Sequence, residues 1–394
     1  MNRSLWSRLA VFLIAGLLLT PVAFAQLPAS ATLSEKDAPL FRAEVERIES
    51  LLTYASDKVT VTYVMARTWA SAKQWPQAVE WLRKTAGTGL DPSRDPAFAD
   101  VQKTAEFESI MTAVREATPP VSHSARAFEI PEGDLVPESM AYDPHRKQFY
   151  FGSAGKGKII RCSASGECSN FAEGLGSVLG LKIRGDGLWA LSNADMESAL
   201  IHFDLLQGAV LGKYAIPGPG HEFNDLAFTP EGDVYLTDTP AAVVLHLAKG
   251  TTRLTQLRHP FDLANGIATS PDGRLLFVST FGDGISVMDL KTRAVAPVAH
   301  PPDLCLGMID GLYFERGSLL AIQNGFVSPR VVRMHLSRDL RSIERFDVLE
   351  RRNPLFDGVT TGVVVGRDFY FMANTQDEKK SGFNPIAILK LNLN

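Results

Sequence analysis

The sequence predicts a mainly β protein, a six-bladed β-propeller with a small N-terminal all-α region. Six short segments share one pattern: Glu138-Ser-Met-Ala-Tyr, Leu179-Gly-Leu-Lys-Ile, Asn224-Asp-Leu-Ala-Phe, Asn265-Gly-Ile-Ala-Thr, Asp310-Gly-Leu-Tyr-Phe and Thr361-Gly-Val-Val-Val. Their first residues lie 41, 45, 41, 45 and 51 apart, the period of a radial β-repeat. Most are followed, after a tight turn such as 230–233 or 271–274, by a second strand-like run such as 234–237 or 275–279. Before Pro119 the apolar spacing is helical instead.

Residues 1–25 read as a signal peptide. Arg3 and Arg8 open it, residues 9–19 are apolar, and Ala23-Phe-Ala25 is a small-x-small cleavage site. An uncleaved anchor is the weaker alternative, because the apolar run is short for a membrane span. The expected location is the periplasm or the exterior. Without Arg3 and Arg8 the chain has 38 basic and 44 acidic residues, a net charge of −6. There is no basic stripe, which argues against nucleic-acid binding.

Residues 26–118 form the predicted helical region. Phe41, Val45, Ile48, Leu51 and Leu52 fall at helical spacing, and a third helix is expected from about Pro96 to Ala117. Between them, Ala66 and Trp69, then Trp75, Ala78 and Leu82, closed by Asp91-Pro92, resemble one tetratricopeptide repeat. One repeat cannot bury its own face. The region either docks a protein partner or caps the rest of the chain. Residues 119–124 read as a linker, and residues 125–394 as the propeller. The segment 125–130 lacks a partner of its own and is expected to supply the outer strand of the last blade, closing the ring.

Cys162 and Cys168 flank a short turn between two strand-like runs, a spacing that fits a hairpin disulfide in an oxidising compartment. Two free thiols are the alternative. Cys305 is unpaired by count and reads as a small buried hydrophobe or a neighbour of the site.

In a propeller, equivalent positions face one axis at one height. The first slot of the pattern then forms a ring of Glu138, Leu179, Asn224, Asn265, Asp310 and Thr361. Two carboxylates brought together in a confined channel repel, and a divalent cation removes the conflict. Glu138, Asn224, Asn265 and Asp310 are hard oxygen donors, which favours Ca²⁺, or Mg²⁺ or Mn²⁺, over structural zinc. The competing reading is that these side chains merely cap strand starts. Ends of the second strands, at Asn193, Asp238, Thr280, Asn324 and Asn374, are expected to form an outer polar rim.

The runs Pro137-Glu-Ser139, Phe223-Asn-Asp225, Ala264-Asn-Gly266, Ser270-Pro-Asp-Gly273 and Ile309-Asp-Gly311 resemble the senescence marker protein (regucalcin), gluconolactonase and luciferin-regenerating enzyme family. The resemblance covers roughly residues 130–375. It implies a six-bladed propeller with one divalent metal in the channel, and an activity among calcium-dependent lactonases and, more distantly, phosphotriesterases. By position it implies Glu138, Asn265 and Asp310 as metal ligands, Asn224 as a contact to metal or substrate, and Asp310 as general base or nucleophile. Two residues before Asn224 the family often has arginine, where this chain has Glu222, and before the last aspartate it often has proline, where this chain has Ile309. The first departure argues against an aldonolactone substrate. His221 and Glu222 are candidate substrate contacts beside the ring.

The expected function is therefore metal-dependent hydrolysis of a lactone or related ester. The alternatives are phosphotriester hydrolysis at the same ring, and a non-catalytic metal- or ligand-binding propeller whose helical region docks a partner.

Overall fold

The computed structural model describes residues 38–257, 259–280, 283–325, 327–375 and 383–394. The predicted signal peptide lies outside these residues. No helix among the described residues is long and apolar enough to cross a membrane.

Among the described residues four α-helices precede the strands: α1 (Ala38–Tyr54), α2 (Lys58–Ser71), α3 (Trp75–Arg83) and α4 (Ala105–Ala117). Asp57 caps α2 by accepting from the Thr60 N–H, and Pro76 sits in the first turn of α3. The third predicted helix is shorter than its spacing suggests. Pro96–Phe98 is a 3₁₀ turn, and α4 begins only after the Thr104 cap. Asp95 accounts for this: it accepts from the Ala97 N–H and the Tyr63 hydroxyl and pairs in charge with Arg67. It thus ties the chain to α2 before a helix can propagate.

Tyr63, Ala66, Ala78, Leu82, Phe98, Phe107 and Ile110 share one apolar core with Cys305 and Val327 of the propeller. The helical region therefore completes its core against the propeller.

The rest is six four-stranded antiparallel sheets. Their innermost strands are Pro137–Asp143, Ser177–Arg184, Phe223–Phe228, Ile267–Thr269, Ile309–Glu315 and Gly362–Val365, opening blades one to six in that order. Blade six closes as expected: Ala125–Ile130 pairs antiparallel with Ile386–Asn392. The first and last strands of the propeller thus pair within one sheet, which closes the ring of blades.

Adjacent blades share apolar clusters. Ala268, Leu275 and Phe277 of blade four, for example, pack on Leu312, Leu319 and Met334 of blade five. A buried side chain of this size contributes about 1.5–3 kcal/mol. A disulfide joins Cys162 and Cys168 across the outer hairpin of blade one. Cys305 is free and buried, and burial pushes its thiol up to about 12.

Candidate functional site in the propeller channel

The ring slot coincides with a break in strand register. In blades one, two, three and five the pairing shifts at 137/139, 178/180, 223/226 and 309/312. Each irregularity spans the ring residue: Glu138, Leu179, Asn224 or Asp310. A bulge re-aims the side chain it carries. In blades four and six the slot, Asn265 or Thr361, precedes the inner strand instead.

Three slots share a further device. Val136, Leu263 and Met308 are non-glycine residues with φ of 47°, 50° and 59°. Each stands two residues before a ring residue, Glu138, Asn265 or Asp310. Left-handed backbone at bulky residues is unfavourable and persists only where the surroundings enforce it. The residues after the slot explain the recurrent glycine. A Cβ on Gly180 would lie 2.8 Å from the Asn224 carbonyl oxygen, and one on Gly266 would lie 2.6 Å from that of Asp310.

Glu138, Leu179, Asn224, Asp310 and Thr361 all line one cavity in the channel, with Lys182 and Asp225 deeper along the inner strands. It offers about 20 Å³ to water-sized spheres. That holds an ion or a water, since one water needs roughly 10–15 Å³ on this measure. Asn265 stands beside Asp310, close enough for its amide to favour the carboxylate's charged form.

The charge conflict is present. Burial first, then the charge of Asp310 and more weakly that of Glu222, pushes Glu138 up to about 8. Asp310 is pushed up to about 6, chiefly by burial, with Asp225 adding to it and Asn324 and Asn265 opposing. The Asn324 amide donates to Asp310 Oδ2 at 2.7 Å. The Thr360 hydroxyl stands near enough to Glu138 to pull its pKa down in part, yet makes no hydrogen bond of acceptable geometry.

The residues fit a hard cation by donor chemistry. Asn265 Oδ1 is buried without a hydrogen-bond partner, a position that costs free energy unless something occupies it. Asn224 donates its amide to Thr239 Oγ1 at 3.3 Å, which turns its carbonyl oxygen away from that bond. Two amide oxygens and two carboxylates are a calcium-type set. No three His, Cys, Asp or Glu side chains gather into a metal cage among the described residues, so the amides would be indispensable.

The expected outer rim is a bracing layer instead. Asn193 donates to the Phe223 carbonyl at 2.9 Å and accepts from the Phe223 N–H at 2.8 Å. Thr237 donates to the Asn265 carbonyl, Ser279 to that of Ile309, and Asn324 to that of Val359. In blades two to five the second strand, or the residue just after it, thus holds the ring segment of the next blade. Asn374 binds Pro385 and Ala387 within its own blade, and Thr280 Oγ1 is buried without a partner.

Asp238 is fully buried. It accepts from the Glu222 N–H at 3.0 Å and lies 2.6 Å from His221 Nδ1. His221 is therefore held in one orientation rather than loose in a turn. His221 and Glu222 do not line the cavity, although Glu222 is close enough for its charge to act on Glu138. Burial and Asp238 raise the Glu222 carboxyl itself.

Sequence reasoning passed over Lys182 and Asp225. Lys182 Nζ lies 3.4 Å from Asp225 Oδ1 and over the Tyr313 ring, a cation beneath an acidic ring. Both were visible as outliers. Asp225 stands where four other segments have glycine, and Lys182 where the others have Ala, Tyr or Val.

No family model matches the chain, and no curated protein matches it either. Solved structures do. A gluconolactonase from Xanthomonas campestris aligns with TM-score 0.50 and 14% identity over 70% of this chain and 99% of that one. PQQ-bound aldose sugar dehydrogenase from Streptomyces coelicolor aligns with the same values. A calcium-binding regucalcin from Agrobacterium tumefaciens aligns with TM-score 0.49 and 16% identity over 68% and 93%. The likeness establishes the propeller fold. A lactonase and a sugar dehydrogenase share it equally, so the chemistry must be argued from the ring.

Proposed function

We propose that this chain is a divalent-cation-dependent hydrolase of a lactone or related ester. One observation carries the reading: five of six ring slots line a single ion-sized cavity, where two carboxylates are held above their ordinary pKa. Glu138, Asn265 and Asp310 would hold the cation, with Asn224 contributing to it or to substrate. When bound, such an ion supplies Lewis acidity toward the carbonyl oxygen. The cavity is too small for a sugar-sized molecule, so the substrate would present only its carbonyl group to the ring.

Asp310 is the candidate general base or nucleophile. Its carboxyl is poised near neutrality, where a base transfers protons efficiently, and the Asn324 amide at Oδ2 fixes its plane. Asn224, braced by Thr239, would orient the substrate. Glu222 supports a neutral or cationic substrate over an anionic one, since its charge would repel a carboxylate. Residues 3–25 and the Cys162–Cys168 disulfide support export to an oxidising compartment.

The test is a panel of lactones, carboxylic esters and phosphotriesters assayed with calcium and with chelator. Calcium-dependent turnover of a lactone or ester, reduced about 10³-fold or more in a folded Asp310→Asn variant, supports the reading. Turnover only of phosphotriesters would reassign the substrate class. Activity indifferent to chelator, or intact in Asp310→Asn, sinks the assignment.

A further inference from the structure

The helical region meets the propeller on the face where the inner strands begin. Ser56 Oγ donates to the Asp283 carbonyl, the Ser328 N–H donates to the Gly89 carbonyl, and Arg352 Nη2 donates to Asp91 Oδ2. These propeller residues lie in connections of blades four, five and six, at the ring end of the channel.

One contact bears directly on the ring. Asp57 is fully buried, and a buried carboxylate must be matched by donors. Two come from its own helix: the Thr60 N–H at 3.1 Å and the Thr60 hydroxyl at 2.5 Å. The third is the Leu306 N–H, 3.1 Å from Oδ2 and 249 residues away in sequence. Helix capping needs only the local bonds. The long-range one fastens the strap 305–308, which leads straight into Ile309 and Asp310.

The same strap is held from below. Gln323 Nε2 donates to the carbonyls of Cys305 and Gly307 at 3.1 and 2.7 Å. Arg330, 2% exposed, donates to Gln323 Oε1 at 2.7 Å and to the Cys305 carbonyl at 3.1 Å. From above, Thr60 lies so close that a Cβ on Gly307 would meet its Oγ1 at 2.3 Å. Thr60 Oγ1 also lies 3.4 Å from Cys305 Sγ. Met308 then takes its left-handed conformation, which turns the chain into the bulge that carries Asp310.

We propose that the helical region is an intramolecular clamp, in which Asp57 and Thr60 act as positioning residues that hold the strap 305–308 and so set the height of Asp310 in the channel. A partner-docking module would not need a buried carboxylate spent on this loop. The ion-binding part of the idea rests on the proposed function above; the clamping part does not.

The experiment uses the full-length protein, with calcium as the probe. Backbone amide exchange is followed by mass spectrometry and calcium affinity by calorimetry, in Asp57→Ala, Gly307→Ala and Gly307→Ala/Thr60→Ala. Asp57→Ala is expected to speed exchange in the peptide covering 305–310 while leaving the peptide around Glu138 unchanged. It should weaken calcium about tenfold or more, in the range seen when a ligand's support is removed. Gly307→Ala should do the same, and removing the Thr60 hydroxyl and methyl in that background should restore part of the affinity. A purely stabilising cap would not give that rescue.

Unchanged strap exchange in Asp57→Ala overturns the clamp. So does unchanged calcium affinity in both single variants while Asp310→Asn loses binding. Should Asp57→Ala not fold, the Gly307 pair decides by the presence or absence of rescue. Should the wild-type protein bind no calcium, the ring reading fails and strap exchange alone decides the clamp.

Discussion

Glu138 and Asp310 enter the channel by the same backbone device but are secured by different parts of the molecule. Both sit at a register shift, and both follow by two residues a bulky side chain in left-handed conformation. The approach to Glu138 is held by its own blade, where Ser153 Oγ donates to the Leu135 carbonyl and the Ala154 N–H to that of Val136. The approach to Asp310 is held by blade five and by Asp57 of the helical region. A structural repeat thus standardises where a side chain points. How firmly it is fixed depends on what the rest of the chain brings to that blade.

The comparison breaks most sharply at the carboxylates themselves. If both are ligands, Glu138→Gln and Asp310→Asn should each weaken calcium by at least about 100-fold, more than loss of a supporting group does. Calorimetry checks this. A Glu138→Gln variant that binds like the wild type would leave Asp310 alone and dissolve the pairing.

A smaller effect is expected at the seam between blades. Gly266→Ala presses a Cβ to 2.6 Å from the Asp310 carbonyl oxygen. Overpacking of this kind costs about 1–3 kcal/mol, measurable by denaturant unfolding. It should also weaken calcium. Loss of stability with full affinity would mean that Asp310 tolerates backbone displacement, contrary to the clamp.

The smallest effect is the pH dependence of the ion-free protein. Both carboxyls have folded pKa values above the ordinary ones, about 8 against 4.5 for Glu138 and about 6 against 3.8 for Asp310. The folded state therefore retains protons that the unfolded chain releases. Their effect on stability is most favourable below about pH 4 and is lost as pH rises toward 8. In chelator, the fall in melting temperature from pH 5 to pH 8 should be shallower in Glu138→Gln than in the wild type. Identical slopes would show that Glu138 is not held in conflict.

Much of the propeller was legible because its signals are local or periodic. The spacing of the six segments, the turns after them and the unpaired strand 125–130 led to six closed blades. Asn265 and Asp310 were placed together by register alone, and their amide and carboxylate do stand side by side. The third helix was overextended because apolar spacing cannot reveal that Asp95 is tied to Tyr63 and Arg67. The outer rim was misread because polar side chains at strand ends look alike in sequence whether they face solvent or brace a neighbour, as Asn193 and Asn324 do.

By itself the sequence determined the blade count and the closure, because each follows from a repeat length and a two-residue alternation. Only the tertiary structure decided how the ring side chains are charged and held. Burial, the proximity of Glu222 to Glu138, the ion pair of Lys182 with Asp225 and the reach of Asp57 to Leu306 are distances through space. They join residues that no local pattern relates.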